Sequence, residues 1–152
     1  MIHYIRYFKK MGNQLSSSIH RLNFEDIQEA IKHRDNYIIV NTMPANNQEC
    51  LLPNTIDFKQ EETIINHLMT NNREKKIIVY GKNVNDMTIY DKYEQLLKLG
   101  FRNVYIYPGG MFEWLCLQDI YSHELFPTTK KELDILKYKP NSKFNTYYLT
   151  ND

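Results

Sequence analysis

The chain has 152 residues, 42% of them apolar by type and 24% charged, enough for one core of ordinary size and too few for two. Nineteen Lys and Arg against eighteen Asp and Glu leave a formal charge of +1, so no global field points to nucleic acid or an acidic polymer as a partner. No apolar run approaches the roughly 20 residues that span a bilayer, and two cysteines, Cys50 and Cys116, with neither metal spacing nor a secretory leader before them, make a reducing, cytoplasmic compartment the expectation.

Residues 1–24 carry Arg6, Lys9, Lys10 and Arg21 and no acid, and read as an arm outside the core, basic and polar over its first 18 residues. Asn23 with Asp26 three residues on resembles a capping box and predicts a helix over about 24–33, with Ile27, Ala30 and Ile31 on its apolar face. Tyr37 to Val40 is a β-rich run, followed by a long irregular stretch from Thr42 to Phe58. Ile64, Ile65, Leu68 and Met69 fall on one helical face that ends at Asn71-Asn72. Ile77 to Tyr80 is a second strand, and Asp86 is placed to cap a helix carrying Ile89, Tyr93, Leu96 and Leu97, stopped by Gly100. Val104 to Tyr107 is the third strand, Pro108-Gly109-Gly110 turns the chain, and an apolar helix with Met111, Trp114, Leu115 and Leu117 reaches about Tyr121. Thr129 with Glu132 reads as one more capped turn. Strands alternating with helices imply right-handed parallel crossovers and an α/β fold. In such a sheet the crevice lies beyond the carboxyl ends of the strands, so the loops after Val40, Tyr80 and Tyr107 decide the chemistry.

Those loops, taken together, resemble the rhodanese-like family of sulfurtransferases and their inactive relatives, from about Asn23 to Tyr121. Asn41-Thr42-Met43 stands where the family has an Asp-Val-Arg-like triplet, and Cys50, Leu52, Pro53, Asn54 and Thr55 where it has His-Ile-Pro-Gly-Ala. Leu99-Gly100-Phe101-Arg102-Asn103-Val104 leads into the third strand, and Gly109-Gly110-Met111-Phe112-Glu113-Trp114 matches the family's Gly-Gly-x-x-x-Trp. The resemblance implies a central parallel sheet flanked by helices on both faces, with the domain at 19–123 and a C-terminal extension at 124–152.

It also implies where a nucleophile would stand. An active rhodanese has cysteine immediately after the second of these strands, in a loop whose backbone N–H groups and adjoining helix end favour the thiolate and the persulfide. That position here is Gly81, which cannot attack a sulfur donor. The rest of the loop is Lys82, Asn83, Val84, Asn85 and Asp86, with Asp86 where sulfurtransferases often have Arg. The related phosphatase pattern fails as well, since Met87 occupies the position its Arg would take. The loop therefore reads as a degenerate active site, and no rhodanese catalysis is expected of it. Lys82 and Asn83 could cradle an anion; the simpler reading has Asp86 capping the helix and Lys82 in water. Gly81-Lys82 lacks the remaining residues of a phosphate-binding P-loop.

A relocated thiol is the alternative. Cys50 follows the first strand on the crevice side, with Glu49 beside it to raise its pKa, and would make the chain a sulfurtransferase using thiosulfate or a persulfide. Cys116, between Leu115 and Leu117, reads as a small buried side chain. The histidines at 3, 20, 33, 67 and 123 show no metal spacing, so neither metal nor cofactor is expected. Glu113 and Asp119, six apart on one helix, do not form an acid–base pair.

Met11-Gly12-Asn13-Gln14-Leu15-Ser16 fits the N-myristoylation pattern, which places Gly12 at the amino terminus when translation starts at Met11 or the first ten residues are removed. A single myristoyl chain gives marginal membrane binding. The expected function is a non-catalytic binding or scaffolding module for a protein partner, with weak membrane association through Gly12. The tail from Lys137, with Tyr138, Pro140, Phe144, Tyr147 and Tyr148, lies past the family pattern and covers either the sheet edge or a partner.

Overall fold

The structure of the protein, a computed structural model, describes residues 19–144; the motif around Gly12 and most of the basic arm lie outside the described residues. Four strands, β1 (His20–Arg21), β2 (Tyr37–Asn41), β3 (Lys76–Tyr80) and β4 (Val104–Tyr107), alternate with four helices, α1 (Phe24–Lys32), α2 (Glu61–Asn71), α3 (Thr88–Lys98) and α4 (Gly110–Ile120). All pairings are parallel, in the order β1-β4-β3-β2.

Period-two alternation of the strands divides the core into two faces. Ile39, Ile78, Tyr80 and Tyr107 pack against Ile27 and Ala30 of α1 and Met111, Trp114 and Leu115 of α4. Val40, Ile77, Val79, Val104 and Ile106 point the other way, onto Ile65 of α2 and Ile89, Tyr93 and Leu96 of α3. The Ile-Ile-Val runs in β2 and β3 are β-branched residues suited to strands covered on both sides, each fully buried side chain contributing about 1.5–3 kcal/mol.

Local signals set the helix ends. Asn23 and Asp26 form the capping box, with Asp26 N–H donating to Asn23 Oδ1 at 3.1 Å and Asn23 N–H to Asp26 Oδ2 at 3.0 Å. Gly100, at φ +95°, ends α3 in a Schellman arrangement, its N–H reaching Leu97 C=O at 3.0 Å and the Phe101 N–H reaching Leu96 C=O at 3.2 Å.

Three expectations are corrected. The arm does not run to residue 24: His20–Arg21 is an edge strand on β4, and Leu22 N–H extends the ladder to Ile106 C=O at 2.8 Å. Two exposed polar residues carry no strand periodicity, which hid it. Asp86 is not the N-cap of α3, which is Met87; it bonds from one residue further out. Thr129 and Glu132 form no capped turn: Thr129 Oγ1 accepts the Leu51 N–H at 3.0 Å and donates to Glu49 C=O at 2.8 Å.

The chain after α4 returns to the core. Phe126 and Tyr138 are buried in the cluster around Trp114, whose Nε1–H donates to Pro127 C=O at 2.9 Å. The stretch therefore packs over this protein's own helix face, and a short 3-10 helix at Ile135–Tyr138 leans on α4.

Candidate functional site

The loop Gly81–Asp86 leaves the carboxyl end of β3 and is held from two sides. Thr42 N–H, just past β2, donates to Tyr80 C=O at 3.0 Å, which sets Thr42 beside Gly81. From α4, Met111 N–H donates to Gly81 C=O at 3.1 Å and Phe112 N–H to Lys82 C=O at 2.9 Å, so the helix's first free amides anchor the loop backbone. This approach is why Gly110 is glycine. Its φ is +63°, and a Cβ there would stand 2.6 Å from Gly81 C=O and 3.0 Å from Asn83 N.

The hollow beside Gly81 is filled by the chain itself. A Cβ on Gly81 would lie 2.4 Å from Asp86 Oδ2 and 2.9 Å from Thr42 Oγ1. Asp86 Oδ2 accepts the Lys82 N–H at 2.9 Å, while Oδ1 accepts the Thr88 N–H at 3.0 Å and the Thr88 hydroxyl at 2.5 Å. The Thr42 and Thr88 hydroxyls are 2.7 Å apart. A carboxylate thus receives the donors that loops of this shape offer to an external anion.

The other loop residues divide between support and surface. Asn83 is buried; its Nδ2–H donates to Tyr138 C=O at 2.9 Å and its Oδ1 accepts the Asn85 N–H at 3.0 Å. Both ends of that amide serve the scaffold. Val84 is 61% exposed. Lys82, Asn85 and Asp86 line an open cavity of about 460 Å³ with Thr42, Lys139 and Lys143, so its lining carries three lysines and one aspartate among neutral residues.

Cys50 does not face this cavity. It is buried in the cluster with Tyr80, Tyr138 and Leu52, 3% exposed, under the returning C-terminal chain. Burial pushes its thiol pKa up, a Thr128 hydrogen bond works against that, and Glu132 adds to the rise. The expected upward direction holds, but its expected source does not, because the Glu49 carboxylate is turned to Lys130 at 2.8 Å. Cys116 is half-buried on α4, and its pKa is raised by burial and then by Asp119 and Glu113. Among the described residues no group of three His, Cys, Asp or Glu could hold a metal ion, and no helix is long and apolar enough to cross a membrane.

Sequence reasoning did not single out Thr42, Thr88 or Tyr138. The first two had a local signal: Thr88 is two residues past Asp86, the spacing of an Asx turn, and Thr42 follows the strand that pairs in register with β3. Tyr138 had none, since 55 residues separate it from Asn83.

The loop after β2 follows the pattern too. Asn54, where the resemblance expects glycine, sits at φ 65°, the left-handed region that Asn tolerates better than most side chains. Residues 17–116 match the Rhodanese-like domain family. The chain belongs to that family.

Solved structures agree at the level of fold. A Bacillus halodurans protein is 23% identical, with a TM-score of 0.54, over 75% of this chain and 79% of that one. The polysulfide-sulfur transferase homodimer of Wolinella succinogenes is 16% identical, with a TM-score of 0.54, over 86% of this chain and 93% of its own. A single-domain sulfurtransferase of Saccharomyces cerevisiae is 16% identical, with a TM-score of 0.50, over 68% and 94%. Among curated proteins none matches.

Proposed function

We propose that this rhodanese-like domain is a non-catalytic binding or scaffolding module, whose crevice serves recognition of a protein partner, and which a myristoyl group on Gly12 tethers weakly to membranes in the form translated from Met11. One observation carries the inert reading: the Asp86 carboxylate stands 2.4 Å from the point where a side chain on Gly81 would begin. A persulfide there would need both a sulfur atom that Gly81 lacks and a cradle free of negative charge. The tether rests on the Met11 to Ser16 pattern alone. In that step the Gly12 amine attacks an acyl-CoA thioester, the amide forms as the C–S bond breaks, and the thiol leaves with a proton.

Incubation with thiosulfate followed by intact mass measurement tests inertness. The expected result is no gain of a sulfur atom. A sulfur adduct that disappears in Cys50→Ser would overturn the reading in favour of transfer through Cys50, although that thiol is buried and its pKa is raised.

A further inference from the structure

A second cavity, an open groove of about 590 Å³, lies between the ends of β1 and β4 and helix α4, lined by Leu22, Val84, Pro108, Phe112, Cys116 and Leu117. Glu113 is the one charged side chain on its described lining. We propose that this groove holds the aliphatic chain of the myristoyl group on Gly12, in competition with the membrane. The inference rests on the lipidation of Gly12 put forward above and deepens it.

Three observations converge. The groove's volume falls within the roughly 300–1,000 Å³ of sites for small ligands, and its walls are apolar. Its floor begins at Leu22, whose N–H is fixed to Ile106 C=O at 2.8 Å. Six residues separate Gly12 from Ile19, the first described residue, and the seven backbone steps between them reach at most about 25 Å, several times the length of the two-residue strand to be passed. An acyl chain on Gly12 is therefore within reach of the groove.

Magnitudes favour a contest. A lone myristoyl chain binds membranes with a constant of only about 10⁴ M⁻¹. A leash of this length presents it to an intramolecular site at an effective concentration on the order of millimolar. From Gly12 to Asn23 the sole basic charge is Arg21, so no polybasic segment adds to the membrane's side. Even a modest groove affinity then withdraws the chain from lipid.

Cys116 is the reporter, because it lines the groove and is only half-buried, while the buried Cys50 is an internal control. The chain beginning at Gly12 contains every described residue; it is compared with and without enzymatic myristoylation, with iodoacetamide as the probe. Acylation is expected to slow Cys116 alkylation about tenfold, and Val84→Asn, at an exposed position on the groove, to restore the rate and raise binding to phosphatidylcholine vesicles. Equal Cys116 rates in acylated and unacylated protein would overturn the groove assignment. A chain that the transferase leaves unacylated, seen by mass before any alkylation, removes the lipidation reading instead.

Discussion

Gly81 leaves space for one more group, and Asp86 takes it. The carboxylate is not idle in that space: it accepts two backbone N–H groups and a hydroxyl, so moving it breaks bonds that fix both the loop and the start of α3. Gly81→Ala places a methyl 2.4 Å from Asp86 Oδ2 and is expected to cost about 1–3 kcal/mol in urea unfolding. In an Asp86→Ala background the same change should cost much less, giving a coupling of about 1 kcal/mol or more in a double-mutant cycle. Additive costs would mean that the two positions do not share the space. The same crowding applies to any side chain at 81, so a cysteine there meets a carboxylate before it meets a substrate.

At the scale of elements, the returning chain at 122–138 covers one of the two faces of the core, through Phe126 and Tyr138. Tyr138 closes the cluster over Cys50 and gives its carbonyl to Asn83, so one residue supports both the hydrophobic face and the loop. Tyr138→Ala is expected to cost about 3–5 kcal/mol and to raise the alkylation rate of Cys50 in the folded state; a Cys50 as unreactive as before would show that the cover lies elsewhere. The elements with strong periodicity or sharp stops were legible in the sequence: β3 and β4 in their apolar runs, α1 in the Asn23 to Asp26 box, and the end of α3 in Gly100. The loop after β3 was legible through the pattern around it. What could not be read was non-local or too short: β1 is two residues, and the contact of Asn83 with Tyr138 joins distant segments. The turn of Asp86 into the hollow was missed because it depends on Thr42, just past β2, meeting Thr88 at the start of α3.

For the molecule as a whole, buried tyrosines set its response to alkali. Burial, with Cys50, Glu132 and Glu49 nearby, pushes the Tyr138 hydroxyl from 10.0 up to about 12, and burial also raises Tyr80 and Tyr107. A tyrosine whose folded pKa exceeds its unfolded value stabilises fully below the unfolded value, and that contribution is lost as pH rises from there through the folded pKa. Stability should therefore fall from about pH 10 upward, Tyr138 alone accounting for about 3 kcal/mol. Tyrosinate absorbance and far-ultraviolet circular dichroism are expected to change together; ionisation of these residues without unfolding would contradict the assignment.

The two rims of the sheet have a consequence for crowded solution. On one side β1 offers a ladder of only two residues, and on the other the Thr55 bridge to Ile39 and the Ile56 N–H bonded to Ile39 C=O at 2.9 Å cap the margin of β2. Among the described residues a stranger's strand finds no long, flat row of unpaired amides on which to dock. These two edges resist fibril templating by their geometry, without relying on repulsion from a net charge that is close to zero.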